Sequence, residues 1–125
     1  MNVKVLTLEN ESIPEALRHI PEAPKRLYYR GKDLNTLLDK PLIAIVGSRK
    51  VDAYGQYVTR KLSADLASRG CVIVSGLALG VDAIAHSAAI ETGGESIAVL
   101  TSRVEYPTPR SNASLGEKLV LNGGL

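Results

Sequence analysis

Three short apolar runs, each followed by small residues and then a helical stretch, constrain this chain more than any other feature. They are "LIAIVG" (Leu42–Gly47), "CVIVSG" (Cys71–Gly76) and "SIAVL" (Ser96–Leu100). None alternates apolar with polar residues, so each reads as a strand buried on both faces. Between the first two, a helix is expected from about Asp52 to Arg69, with Tyr54, Val58, Leu62 and Leu66 at intervals of four on one stripe. Gly70 stands where a C-terminal cap glycine belongs. "VDAIAHSAAIETGG" reads as a second helix stopped by Gly93 and Gly94, and "PRSNASLGEKLVLNGG" as a third ending at Gly123. Consecutive β-α units with right-handed crossovers predict an α/β fold: a Rossmann-like parallel sheet in a three-layer α/β/α arrangement, with helices on both faces. Three such strands make about half of a doubly wound sheet. Because another strand is expected where the chain stops at Leu125, the sheet is read as incomplete at the C-terminus, belonging to a longer protein or completed by a partner chain.

The first forty residues have a different texture. "SIPEALRHIPEAP" places Ser12 as N-cap, Pro14 in the first turn and Glu15 at capping-box spacing for a short helix. "KRLYYRG" reads as a short strand closed by Gly31, and "DLNTLLD" as one or two helical turns. Residues 1–40 are therefore expected to form a helix/strand appendage or linker, and residues 41–125 the Rossmann-like domain.

A chain of 125 residues with an apolar fraction of 45% can bury the core of one domain. Fifteen basic and thirteen acidic side chains leave a formal charge of only +2. Nucleic acid would thus have to be met by a local patch and not by global charge. The single Cys71 excludes an internal disulfide framework and suits a reducing compartment. No run approaches the length of a membrane span and no signal peptide is visible, so a soluble, cytoplasmic protein without membrane contact is expected. Trp and Phe are absent, which leaves the five tyrosines as the available base-stacking surfaces.

Ligands of open α/β sheets bind beyond the carboxyl ends of the strands. Three segments converge there: "VGSRK" (Val46–Lys50), "SGLALGVD" (Ser75–Asp82) and "TSRVEYP" (Thr101–Pro107). Gly47, Ser48, Arg49 and Lys50 fit a phosphate seat of backbone amides and a guanidinium. By position alone they fit equally a strand-to-helix turn with solvated cations. Gly76 and Gly80 admit a ligand or permit close helix–sheet packing. Asp82 suits the start of the next helix, and His86, one turn on, is within hydrogen-bonding reach of it. This favours structural pairing over catalysis, since no nucleophile or metal-ligand spacing accompanies them. Neither G-x-G-x-x-G nor G-x-x-x-x-G-K-[ST] occurs, which argues against a dinucleotide oxidoreductase and a P-loop NTPase.

Taken in order, "IAIVGSRKVDAYGQYVTRKLSADLASRGCVIVSGLALGVDAIAHSAAIETGGESIAVL" and "EYPTPRSNASLGEKL" closely resemble the DNA-processing protein A (DprA/Smf) family. The resemblance runs from about residue 12 to the C-terminus. It implies a non-enzymatic protein, without cofactor or metal, that binds single-stranded DNA and helps load the RecA recombinase in natural transformation. On it, Gly47, Ser48 and Arg49 form the first phosphate-contacting loop, with Lys50 beside them. Ser75, Gly76 and Gly80 shape the second loop, and Asp82 and His86 hold the following helix. The family's second motif usually reads SGLARGID, whereas Leu79 stands here in place of Arg. Glu95 replaces a frequent basic residue, and Arg103 is expected to restore positive charge in the third loop. Alternatives are a nucleotide-binding relative of the lysine-decarboxylase-like phosphoribohydrolases, or a degenerate copy that binds little. A homodimer, or a partner chain, would complete the sheet.

Overall fold

The computed structural model describes residues 2–9 and 12–125. In chain order the elements are β1 (Lys4–Thr7), α1 (Glu15–Arg18), β2 (Arg26–Tyr29), α2 (Leu34–Leu38), β3 (Leu42–Ala44) and α3 (Ala53–Ser68). There follow β4 (Val72–Ser75), α4 (Val81–Glu91), β5 (Ser96–Ala98), a 3₁₀ turn at Arg110–Asn112, α5 (Ala113–Asn122) and β6 (Gly123–Gly124). The three apolar runs supply β3, β4 and β5 as adjacent parallel strands, in register Ile43–Ile73–Ser96. The sheet has a fourth parallel strand, with order β3-β4-β5-β6. Gly123 both ends α5, in an extended conformation, and opens β6, opposite Ser96. A Cβ on Gly123 would collide with the Ser96 carbonyl, so this strand pairing requires glycine.

Helix ends follow local rules. The Asp52 side chain caps α3 by accepting from the Gly55 N–H at 2.7 Å. At the other end Gly70 adopts φ +88°, while the Cys71 N–H reaches the Leu66 carbonyl and the Gly70 N–H that of Ala67. This is a Schellman closure. Gly93 and Gly94 repeat it on α4 through the carbonyls of Ile90 and Ala89. The capping box at Ser12 does not form. Pro14 is the N-cap of α1, and the Ser12 hydroxyl instead accepts the Thr7 N–H at 2.8 Å, fastening the end of β1, a strand that the sequence pattern did not reveal.

The stripe expected to bury α3 is also different. Tyr54, Val58 and Leu62 are exposed, and the buried positions are Thr59, Ser63 and Ala67. These small side chains let α3 lie close against α4, where Ala67 clusters with Ala85, Ala89 and Ile73. The Ser63 hydroxyl is buried without a hydrogen-bond partner among the described residues. Ser63→Ala should therefore stabilise the protein by about 1 kcal/mol, read by thermal melting, because an unsatisfied hydroxyl is removed from the core. Unchanged or lower stability would show that the hydroxyl is satisfied in solution.

Ile43, Ile45 and Ile73 face α3 and α4, and Ala98 and Leu125 pack with Leu115 and Leu119 of α5. On the opposite face α2 covers β4 and β5, its Leu34 and Leu37 meeting Val72, Val74 and Ile97. The first forty residues thus supply one layer of the sandwich. They also close an edge: Arg30 and Leu125 exchange backbone hydrogen bonds, and Lys32 donates to the Gly123 carbonyl at 2.8 Å. Arg30 is buried and forks onto Glu117 of α5, with a further 2.7 Å bond to the Val104 carbonyl. At the other edge β3 pairs, among the described residues, only with β4, and Leu42 and Val46 are exposed. In this chain "LIAIVG" is accordingly an edge strand covered on one face, not a strand buried on both.

Candidate functional site

At the carboxyl ends of β3 and β4 two loops cross. Gly80, at φ +82°, lies against the carbonyls of Ser48 and Arg49, and the Val81 N–H donates to the Ser48 carbonyl at 3.1 Å. Gly47 rests on the Val81 side chain. The Ser48 hydroxyl donates to the Lys50 carbonyl at 2.8 Å and accepts the Lys50 N–H at 3.2 Å, folding residues 48–50 into a tight turn. Arg49 and Lys50 project from it, exposed and without an ion pair among the described residues.

Two buried side chains hold the second loop from below. Asp82 accepts the Gly76 N–H at 3.0 Å, and His86 Nε2 accepts the Leu77 N–H at 3.2 Å. Leu77 needs that support, since it takes φ +61° with its side chain fully buried. The other imidazole nitrogen, Nδ1, lies 2.7 Å from the Ser96 hydroxyl, which itself donates to the Ile73 carbonyl at 2.8 Å. With Nε2 accepting and the serine proton committed, Nδ1 carries the imidazole proton. Burial holds His86 near pKa 4, against the pull of the Asp82 charge, so it is neutral at physiological pH. The expected Asp82–His86 hydrogen bond is not made; each residue fastens a different amide of the same loop.

Ser75 is turned inward, donating to the Ile45 carbonyl at 2.6 Å. Its hydroxyl ties β4 to the end of β3. These internal bonds consume the amides of Gly76, Leu77 and Val81. The N–H groups of Gly47, Ser48 and Arg49, and of Ala78, Leu79 and Gly80, make no hydrogen bond among the described residues. These unpartnered amides belong to the two loops that cross beside Arg49 and Lys50, and an anion is the complement of such donors.

The third loop contributes less charge than expected. Arg103 is paired with Glu105 at 2.7 Å and lies over the Tyr106 ring at 5.9 Å. Leu79 is exposed at the rim. Glu95 is not at the rim at all: it precedes β5 at the opposite end of the strand, held by Lys32 at 2.9 Å and by Lys40. Burial raises its pKa, but the hydrogen bonds and charges of Lys40 and Lys32 outweigh that and hold it below the usual carboxylate range. Sequence reasoning missed two residues that build the site. Ser96, a hydroxyl in an otherwise apolar strand, was the visible signal for one. Asn112, which donates to the Leu77 carbonyl at 2.9 Å, gave none beyond its place before α5. No group of three His, Cys, Asp or Glu among the described residues could hold a metal, and no helix there is long and apolar enough to cross a membrane.

The sequence profile of DNA recombination-mediator protein A matches residues 4–125. The chain belongs to the DNA recombination-mediator protein A family. It is similar to Protein Smf of Escherichia coli strain K12, 37% identical over 98% of this chain and 32% of that protein. DNA processing protein DprA of Bacillus subtilis is 32% identical over 94% of this chain and 39% of its own length. The chain thus spans about a third of these relatives. Two solved structures superpose closely. DNA processing protein A from Streptococcus pneumoniae has a TM-score of 0.87 at 32% identity, over 99% of this chain and 43% of that one. The protein from Helicobacter pylori, described for its unique single-stranded DNA binding mode, has a TM-score of 0.86 at 34% identity, over 99% and 54%. In this family member the overall fold is the framework shared with these two structures.

Proposed function

We propose that this chain binds single-stranded DNA through its phosphates at the crossing loops. As part of a cytoplasmic recombination mediator it would support RecA loading in DNA-mediated transformation. The observation that carries the reading is the combination of two exposed cations without ion pairs among the described residues, Arg49 and Lys50, with unpartnered amides in the same crossing loops. The described single-strand binding mode of the Helicobacter pylori relative supports it. Gly47, Ser48, Arg49 and Lys50 form the seat, and Gly80 sets it against the second loop. Ser75, Gly76, Asp82 and His86 position that loop from within, and Arg103 adds little net charge while paired with Glu105. Bases are left largely unread, so sequence preference is weak.

Titration with oligo-dT at two or more salt concentrations tests this. Each phosphate contact contributes about 0.7 to the slope of log affinity against log salt for a single strand. Arg49→Ala should therefore weaken binding to all sequences alike and flatten the slope by about that amount. An unchanged slope would take Arg49 off the phosphate path. Absence of binding at low salt, with thermal stabilisation by AMP, would replace the proposal with a nucleotide-binding function.

A further inference from the structure

Four of the five tyrosines are exposed, and two of them stand directly after the cationic loop. Tyr54 and Tyr57 occupy the first turns of α3, with 75% and 63% of their surfaces exposed. They are separated by three residues, so they share a helix face, and Lys61 continues the same stripe four residues further on. Arg49 and Lys50 lie at one end of this stripe. Asp65, one turn beyond Lys61 and 3.7 Å from its ammonium, is acidic and closes it to phosphate. The order along the surface is therefore cation, cation, the Asp52 carboxylate engaged by the Gly55 N–H, aromatic, aromatic, cation, and then an acid.

An extended polymer with alternating anionic and aromatic groups matches that order. Single-stranded nucleic acid is such a polymer, since every base presents a flat π-face whatever its identity. We infer that Tyr54 and Tyr57 form a base-stacking platform for one or two nucleotides next to the Gly47–Lys50 phosphate seat. Lys61 lies within reach of the following phosphate. This inference rests on the phosphate reading above and adds to it the residues that contact bases. Sequence tolerance follows, because stacking on a tyrosine face needs no hydrogen-bond pattern.

The test separates stacking from phosphate binding. Affinities for oligo-dT and for an abasic deoxyribose-phosphate strand of equal length are measured with the wild type, Tyr54→Ala, Tyr57→Ala and the double variant. Removing an aromatic platform typically weakens base binding about 5- to 100-fold. The wild type should prefer oligo-dT over the abasic strand by a factor in that range. The double variant should lose the preference and keep the abasic affinity and its salt slope, while Tyr54→Phe and Tyr57→Phe retain the preference. Both tyrosines are exposed, and thermal melts should show the variants folded. A preference that survives in the double variant overturns the inference, as does a wild type that does not distinguish the two strands. Equal weakening toward both strands overturns it too, because the tyrosines would then be supporting the phosphate seat. Failure of the wild type to bind either strand removes the phosphate reading itself, and the platform with it.

Discussion

Gly80→Ala is expected to cost about 3 kcal/mol or more of stability and to abolish binding at the crossing loops. Two independent penalties meet at this residue. Its φ of +82° disfavours any L side chain by about 1–2 kcal/mol. In addition, an added Cβ would run into the Ser48 carbonyl and lie 2.5 Å from that of Arg49. Those are backbone atoms, so relief requires the two loops to separate. Separation breaks the Val81–Ser48 hydrogen bond and displaces the turn that carries Arg49 and Lys50. Gly70 and Gly93 provide internal controls, with φ of +88° and +80° but nothing within 4 Å of an added Cβ. Gly70→Ala and Gly93→Ala should each lose only about 1 kcal/mol and leave oligonucleotide affinity intact. A thermal-melt series that ranks the three substitutions equally would show that the loop crossing is not tight in solution.

Acidification should unfold the protein in a window set by His86. The imidazole is neutral in the fold, with its pKa lowered from 6.5 to about 4 by burial, partly opposed by Asp82. The unfolded chain takes up a proton below about pH 6.5, while the folded chain resists doing so until about pH 4. Stability therefore falls as pH drops through this interval and is fully present above it. The difference between the two values corresponds to about 3 kcal/mol at 1.36 kcal/mol per unit. Denaturant unfolding at stepped pH checks this. His86→Ala should be less stable at neutral pH by about 2–4 kcal/mol, because the Leu77 amide loses its acceptor and a cavity opens. Between pH 6.5 and 4.5 the variant's stability should be nearly flat. Below that interval Glu95, whose pKa is lowered, adds its own loss as it is protonated away from Lys40 and Lys32. A variant with the same pH slope as the wild type would mean that His86 is not the titrating group.

The elements legible in the sequence are those governed by neighbours along the chain. Runs of branched apolar residues marked β3, β4 and β5, while Gly70 and Gly93 marked helix ends because the left-handed closing position favours glycine. The glycine-rich turns and basic pair at residues 47–50 located the rim, since strand ends feeding helices place such turns there in any α/β sheet. What each residue does was decided by contacts across the fold. The four-residue spacing of Tyr54, Val58 and Leu62 identified a common face of α3, but periodicity cannot say which face is wet. The Thr59–Ser63–Ala67 face is buried because its small side chains fit against the alanines of α4. Asp82 and His86 were read as a pair holding the helix start, and their partners are the amides of Gly76 and Leu77, not each other. The second face of the sheet is covered over β4 and β5 by α2, and its β6 edge is closed by the Arg30–Leu125 pairing, across most of the chain's length. Local propensity determined the elements and the rim. Long-range packing, which no short window of sequence contains, decided which faces are buried and which amides stay open, and with them where the proposed anion seat would lie.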